Sequence, residues 1–230
     1  MSLSTRQQAY LKLMGIDVWV SRLADTNSSD AYAEQLGAYD ESMDGQWQNL
    51  RQQVSVCTKC DLHQGRTQTV FGTGNVKAEW MLIGEAPGAE EDRQGKPFVG
   101  KAGQLLTAML FAAGFEREQV FIANILKCRP PNNRDPLPGE VAACENYLKQ
   151  QIEHIQPRII LALGRVAAQN LLKLDTPIGK MRGNIYEYPG LKIPVVVTYH
   201  PAYLLRSPRE KRKSWQDLQA AMKLYNEIRT

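Results

Sequence analysis

The chain has 230 residues, 43% hydrophobic and 23% charged, an ordinary balance for a globular protein. No apolar run approaches the about 18 residues that a membrane-spanning helix needs. No apolar stretch follows a basic start either, so neither a membrane protein nor a secreted one is expected, and a cytoplasmic, nucleoid-associated location is. The net charge of +4 hides an asymmetry: residues 1–50 hold three basic and seven acidic residues, which leaves +8 on the remainder. A basic body suggests a polyanionic partner.

Residues 5–22 place Tyr10, Leu13, Met14, Val18 and Trp19 at helix-like spacing, broken by Gly15. Residues 24–46 are polar and acidic, and such composition buries too little apolar surface to offset the entropy of ordering. Residues 1–46 therefore read as an N-terminal extension with an amphipathic segment and a flexible acidic linker, and residues 47–230 as the main domain. A helix is expected from near Trp47 toward Cys57.

Beyond Cys57, four continuous apolar runs read as buried strands: Trp80 to Ile83, Val120 to Ala123, Ile159 to Leu163, and Val195 to Thr198. Continuity rather than alternation is the mark of a parallel sheet covered on both faces. Helices are expected between and after them, at about 101–114, 138–155, 165–173 and 208–228. Alternating strands and helices predict an α/β fold in three αβα layers. Ligands in such folds bind beyond the carboxyl ends of the strands.

The motifs fall at those ends. After the first strand, Gly84-Glu85-Ala86-Pro87-Gly88 makes a tight turn, followed by Ala89-Glu90-Glu91-Asp92. The stretch from Gly88 to Lys96 is not a phosphate loop: its spacing is too long, and Pro97 stands where Ser or Thr is needed. Its carboxylates suit a neutral polar ligand or an activated water. Phe98, between Pro97 and Val99-Gly100, can offer its ring for stacking or simply pack in the core. Asn124 ends the second strand, and its amide can read an imide or amide edge. Lys127 and Arg129 add positive charge nearby. The fourth strand ends at His200-Pro201, followed by Leu204, Leu205 and the cations Arg206, Arg209, Lys211, Arg212 and Lys213. That run is either a phosphate-contacting patch or a solvated helix face.

The four cysteines are Cys57 and Cys60, spaced C-x2-C, then Cys128 and Cys144. Disulfides are not expected in a chain that is not secreted. Four thiolates suit structural zinc or an iron–sulfur cluster. A zinc ribbon would prefer a second C-x2-C, and a zinc deaminase would need an H-x-E segment that the chain lacks, so the spacing leans toward [4Fe–4S].

Taken together, Gly84 to Gly88 with Glu91-Asp92, Pro97-Phe98-Val99-Gly100, Asn124 with Lys127-Cys128-Arg129-Pro130-Pro131, and His200-Pro201 resemble the family 4 uracil-DNA glycosylases. These are the iron–sulfur members of their superfamily, and the cysteine spacing matches as well. The resemblance covers about residues 47–226. It implies a central four-stranded parallel sheet, in agreement with the strand count. It also implies hydrolysis of the N-glycosidic bond of uracil in DNA, with the base flipped out and an abasic site left behind. Phe98 would stack on the uracil, beside Gly84 and Gly88. Asn124 would bond its O4 and N3 edge, and His200 would donate toward O2. Backbone N–H groups of Glu85 and Ala86 would assist, and Glu91 would position water or exclude thymine. Leu204 or Leu205 would wedge into the gap left by the base, while Arg206, Lys127 and Arg129 would contact DNA. Cys57, Cys60, Cys128 and Cys144 would ligate a structural [4Fe–4S] cluster. The family has no aspartate at Ala86, so stabilisation of the leaving uracil anion carries more of the catalysis. The alternative class is a non-catalytic iron–sulfur DNA-binding protein. Residues 5–22 loosely resemble the N-terminal peptide of the psi subunit of the bacterial clamp loader, which implies a replication-machinery partner.

Overall fold

The computed structural model describes residues 41–229, so the amphipathic segment 5–22 and most of the linker lie outside the described residues. The described chain opens with α1 (Glu41–Ser55), α2 (Leu62–Gly65), β1 (Thr73–Gly74) and β2 (Trp80–Gly84). It continues through α3 (Ala89–Gln94), α4 (Lys101–Ala112), β3 (Phe121–Asn124), α5 (Pro138–Ile155) and β4 (Ile159–Leu163). It closes with α6 (Arg165–Leu172), α7 (Ile178–Met181), β5 (Ile185–Glu187), β6 (Pro194–Thr198), α8 (Pro201–Arg206) and α9 (Lys211–Arg229).

The four apolar runs form the centre of one sheet of order β1-β3-β2-β4-β6-β5. β3, β2, β4 and β6 are parallel, as Leu82 pairs with both Ile122 and Leu161, and Leu161 pairs with Val196. β2 and β4 are buried along their whole length. Each fully buried Leu, Ile or Val there contributes about 1.5–3 kcal/mol of transfer free energy. Two antiparallel edge strands, β1 and β5, extend the sheet beyond the four expected strands.

The strand period of two divides the core between the sheet faces. Met81, Ile83, Phe121, Ile160 and Val197 pack with α1, α5 and α6. Trp80, Leu82, Ile122, Leu161 and Val196 pack with α4 and α9 on the other side. These are the three expected layers. Trp47 fastens α1 to the sheet, edge-on to Phe71 at 5.0 Å and to Phe121 at 5.4 Å, and stacked on His154 at 4.7 Å.

Helix ends follow local chemistry. α5 starts at Pro138, whose missing N–H costs nothing at the first helical position, and Glu140 caps it by accepting from the Leu137 N–H at 2.8 Å. α9 starts at Lys211 rather than 208 because Pro208 to Glu210 form a separate 3-10 turn. α4 ends at Ala112, two residues before the left-handed Gly114 (φ +84°). All four parallel strands end on one rim, where Gly84, Asn124 and Thr198 release the chain into its loops.

One glycine controls the entry to α4. A Cβ on Gly103 would lie 1.8 Å from the carbonyl oxygen of Phe98, so helix and preceding loop meet only without a side chain. Gly103→Ala should therefore lower stability by about 1–3 kcal/mol in denaturant melts. Gly139→Ala, in α5 with nothing within 4 Å of the added carbon, should leave stability unchanged or raise it. Equal effects of the two substitutions would contradict this packing.

Candidate functional site

The carboxyl ends of β2, β3 and β6 open into one cavity of about 440 Å³. Its walls come from the Glu85 to Gly88 turn, from Phe98, Asn124 and His200, and from Tyr203 and Arg206 of α8. The structure thus gathers residues spread over more than a hundred positions of sequence around one space.

At its floor lies Asn124, 2% exposed, and its Oδ1 has no hydrogen-bond partner among the described residues. Gly84 makes room for it: a Cβ there would sit 2.5 Å from that oxygen and 2.6 Å from Cζ of Phe98. The Phe98 ring is buried yet borders the cavity, so it is a core residue and a wall at once. Its backbone is left-handed (φ 53°), a conformation few non-glycine residues adopt. The surroundings enforce it. Arg117 donates to the Pro97 carbonyl at 2.6 Å, and the N–H groups of Val99 and Gly100 donate to one oxygen of Glu91 at 3.0 and 3.3 Å.

His200 faces Phe98 with ring centroids 5.5 Å apart. It is also the cap of α8: its Nδ1 accepts from the Ala202 N–H at 3.1 Å. A neutral ring that accepts at Nδ1 carries its proton on Nε2, so the free nitrogen is a donor. Burial, helped by Arg206, pushes the His200 pKa down to about 4. Gly164, left-handed at φ +96°, allows β4 to turn into α6 beside this ring; a Cβ there would lie 2.9 Å from the His200 Cβ. Behind the corner, Arg182 grips Asp217 with two bonds of 2.7 and 2.8 Å and lies over the Tyr199 ring at 4.5 Å.

The carboxylates after β2 divide their tasks. Asp92 is buried and accepts the Thr67 N–H with both oxygens at 3.0 Å. Glu90 turns outward to Arg93 at 2.6 Å. Glu91 holds the Phe98 loop as described, with its other oxygen near Gly88, where a Cβ would meet it at 2.7 Å. Glu85 lines the cavity, and burial, reinforced by Asp135 and opposed by Arg165, pushes its pKa up to about 7. The side chain is thus partly neutral near pH 7, which reduces its repulsion of an anionic ligand.

Two residues expected at the DNA surface are elsewhere. Lys127 is 1% exposed, and its ammonium is spent on the Asn124 backbone carbonyl at 2.9 Å and on Gln151 at 2.6 Å, so it contacts no external polyanion. Leu204 is 1% exposed and packs inward, whereas Leu205 is 43% exposed and is the one of the pair free to enter a duplex. Arg206 borders the cavity, and Arg129 donates to Asn133 at 2.7 Å beside it. Asn133, Arg134, Asp135 and Tyr203 also line the cavity and were not expected. The signal for the first of them is the Pro-Pro-Asn-Asn run: Asn132 and Asn133 both take left-handed φ, near 55°, which Asn tolerates better than most residues.

The four cysteines carry free thiols and line one small pocket with Arg66, Lys127 and Tyr147. Arg66 donates to Cys128 Sγ at 3.1 Å, and the Lys127 N–H to Cys144 Sγ at 3.3 Å. Burial raises the pKa of Cys128, and that of Cys144 to about 11, so a bound cation is what would hold them as thiolates. Among the described residues no three such side chains are arranged to hold a single metal ion. Four free thiols around one pocket, with N–H donors aimed at two sulfurs, fit a cluster that spreads its ligands.

Protonation of His200 would break its cap, because the imidazolium has no acceptor. Its folded pKa of about 4 lies below the ordinary 6.5, so the unfolded chain takes up the proton first. The stability it contributes is complete above pH 6.5 and is lost as pH falls from there toward 4. Among the three histidines, the His200 ring resonance should keep its neutral shift down to about pH 5 in an NMR titration. A midpoint near 6.5 would contradict the half-buried, acceptor-locked ring.

Comparison with known proteins agrees with this geometry. The sequence model described as the Uracil DNA glycosylase superfamily matches residues 71–219, well over half of the chain. A Type-4 uracil-DNA glycosylase of Archaeoglobus fulgidus is 48% identical over 183 residues, which are 77% of this chain and 90% of the relative. One from Saccharolobus solfataricus is 50% identical, covering 69% and 77%. A third, from Thermotoga maritima, is 48% identical, covering 69% and 82%. The chain therefore belongs to the uracil-DNA glycosylase superfamily, and these matched relatives are of its type 4.

Proposed function

We propose that the chain is a monofunctional uracil-DNA glycosylase of DNA base repair, hydrolysing the bond between uracil and deoxyribose and leaving an abasic site. The observation that carries this reading is the buried oxygen of Asn124, without a hydrogen-bond partner among the described residues, in a cavity walled by Phe98 and His200. An unsatisfied buried acceptor costs about 1–3 kcal/mol, which a ligand N–H recovers. The imide N3–H of uracil supplies that donor, and the Asn124 amide N–H can bond its O4. Cytosine presents no hydrogen at N3 and a donor in place of O4, so it is rejected by the same amide.

In the reaction the C1′–N1 bond breaks and its electron pair passes into the uracil ring. His200 Nε2–H stabilises the negative charge that develops on O2, together with backbone N–H groups at Glu85 and Ala86. Neutral His200 is suited to this, since it donates without first binding the anion as an ion pair. Water adds to C1′ and releases a proton to solvent. Glu91, with one oxygen outside its clamp on the Phe98 loop, would hold that water or exclude thymine at C5. Gly84 and Gly88 let the base and backbone approach closely. Leu205 fills the vacated stack, and Arg206 and Arg129 contact the phosphates. Cys57, Cys60, Cys128 and Cys144 would hold a [4Fe–4S] cluster, which supplies structural cross-linking and takes no part in the bond changes.

Residues 47–230 form the catalytic domain in this reading, and residues 1–46 are an extension suited to a replication-machinery protein. No helix among the described residues is long and apolar enough to cross a membrane, and a basic DNA-bound enzyme belongs with the nucleoid in the cytoplasm. The non-catalytic alternative gains nothing from the cavity, because phosphate binding alone gives no reason for a buried imide-reading amide.

Uracil-containing oligonucleotide incubated with the protein should break at uracil on alkali treatment, and thymine or cytosine controls should not. Phe98→Ala should slow excision about 5- to 150-fold, the loss of one stacking contact, and His200→Ala about 10²- to 10³-fold. No cleavage by protein with full absorbance near 400 nm would overturn the proposal. Cys57→Ser should lower that absorbance and the melting temperature together, and an unchanged spectrum would remove Cys57 from the ligand set.

A further inference from the structure

Lys127 is a buried cation that the reaction above leaves without a role. Its Nζ donates to the Asn124 backbone carbonyl at 2.9 Å and to Gln151 Oε1 at 2.6 Å, both neutral oxygens. Gln151 is fully buried and passes the link on, donating through Nε2 to the Phe71 carbonyl at 2.9 Å. On its other side the Lys127 N–H reaches Cys144 Sγ at 3.3 Å. Desolvating an ammonium is costly, and an apolar side chain of the same length would fill the space without that cost. What the charge adds is a strong, directional hydrogen bond on the carbonyl of the residue whose amide faces the cavity.

That carbonyl matters because Asn124 is the last residue of β3, and its peptide is held on one side by the Ile125 N–H, which donates to the Gly84 carbonyl at 2.9 Å, and on the other by Lys127. Fixing its peptide plane fixes the direction in which its side chain leaves the backbone. The tolerance is small, because Gly84 and Phe98 already enclose the amide. A displacement of about 1 Å in such a site can cost about 10²-fold in rate.

We propose that Lys127, braced by Gln151, is a positioning residue that aims Asn124 into the cavity and ties its placement to the Cys144 side of the cysteine pocket. The inference rests on the reading of Asn124 as the base-recognising group.

The test uses the full, cluster-loaded chain in single-turnover excision, with DNA affinity and absorbance near 400 nm as parallel readouts. Lys127→Met should lower the excision rate constant about tenfold or more. Reaction amplitude and absorbance should be unchanged, and DNA affinity should stay within about twofold. Gln151→Leu should slow excision in the same way, whereas Gln151→Glu, which keeps an acceptor for the ammonium, should restore most of the rate. The Lys127→Met and Gln151→Leu pair should together cost no more than Lys127→Met alone, because both cut one link. A merely structural lysine would lower the amplitude and leave the rate constant unaltered, and that result overturns the proposal. So does a loss of DNA affinity like that of Arg206→Ala. Should Lys127→Met fail to fold, the Gln151 variants decide alone: Gln151→Leu at the native rate overturns the proposal. Wild-type protein that releases no uracil refutes the functional reading and the positioning role resting on it, whereas active wild type with an unaltered Lys127→Met refutes the positioning role alone.

Discussion

Asn124 buries a side-chain oxygen that finds no partner among the described residues, and much of the molecule is arranged around that oxygen. Gly84 gives up its side chain to make the space, and Phe98 accepts a left-handed backbone to close it from above. Glu91 and Arg117 hold the Phe98 loop in that conformation, and Gly103 lets α4 begin against it. Several unfavourable local features therefore coincide at one point. In a native protein such costs collect where a ligand returns the energy.

The sheet makes this concentration possible. Four parallel strands deliver their carboxyl ends to one rim, so Gly84, Asn124 and His200 meet although they are far apart in sequence. The second sheet face and its helices supply rigidity. The Arg182–Asp217 pair, with side chains 11% and 3% exposed, anchors the β6 corner that carries His200. The cysteine pocket lies on the other flank of Asn124, joined to it by the Lys127 chain of hydrogen bonds. Asn124 and the corner that carries His200 are thus held from two sides, one through a buried ammonium and one through an ion pair.

Much of this was legible in the sequence, for physical reasons. The central strands were readable because both faces are covered, which leaves continuous apolar runs such as Ile159 to Leu163. The edge strands were not, since Thr73–Gly74 has two residues and Ile185–Glu187 is half-exposed, with no apolar run in either. Gly84, Glu85, Phe98, Asn124 and His200 could be singled out because each stands at a strand end or in a glycine-rich turn. Lys127 could not be placed, because Lys127-Cys128-Arg129 reads locally as a basic run and only the tertiary packing buries its first member. Leu204 and Leu205 differ by one helical position, and the phase of a six-residue helix is not set until α8 docks. Asn132 and Asn133 are left-handed, and the only local signal for this is their residue type, since Asn tolerates that conformation better than most residues.

Asn124 and Phe98 are proposed to receive a flipped uracil. A crystal structure with DNA carrying a deoxyuridine whose glycosidic bond resists hydrolysis tests it most directly. The base is then expected inside the cavity, its face on Phe98, its N3–H on Asn124 Oδ1 and its O2 toward His200 Nε2. A base left stacked in the duplex, or seated with its imide edge away from Asn124, would contradict it.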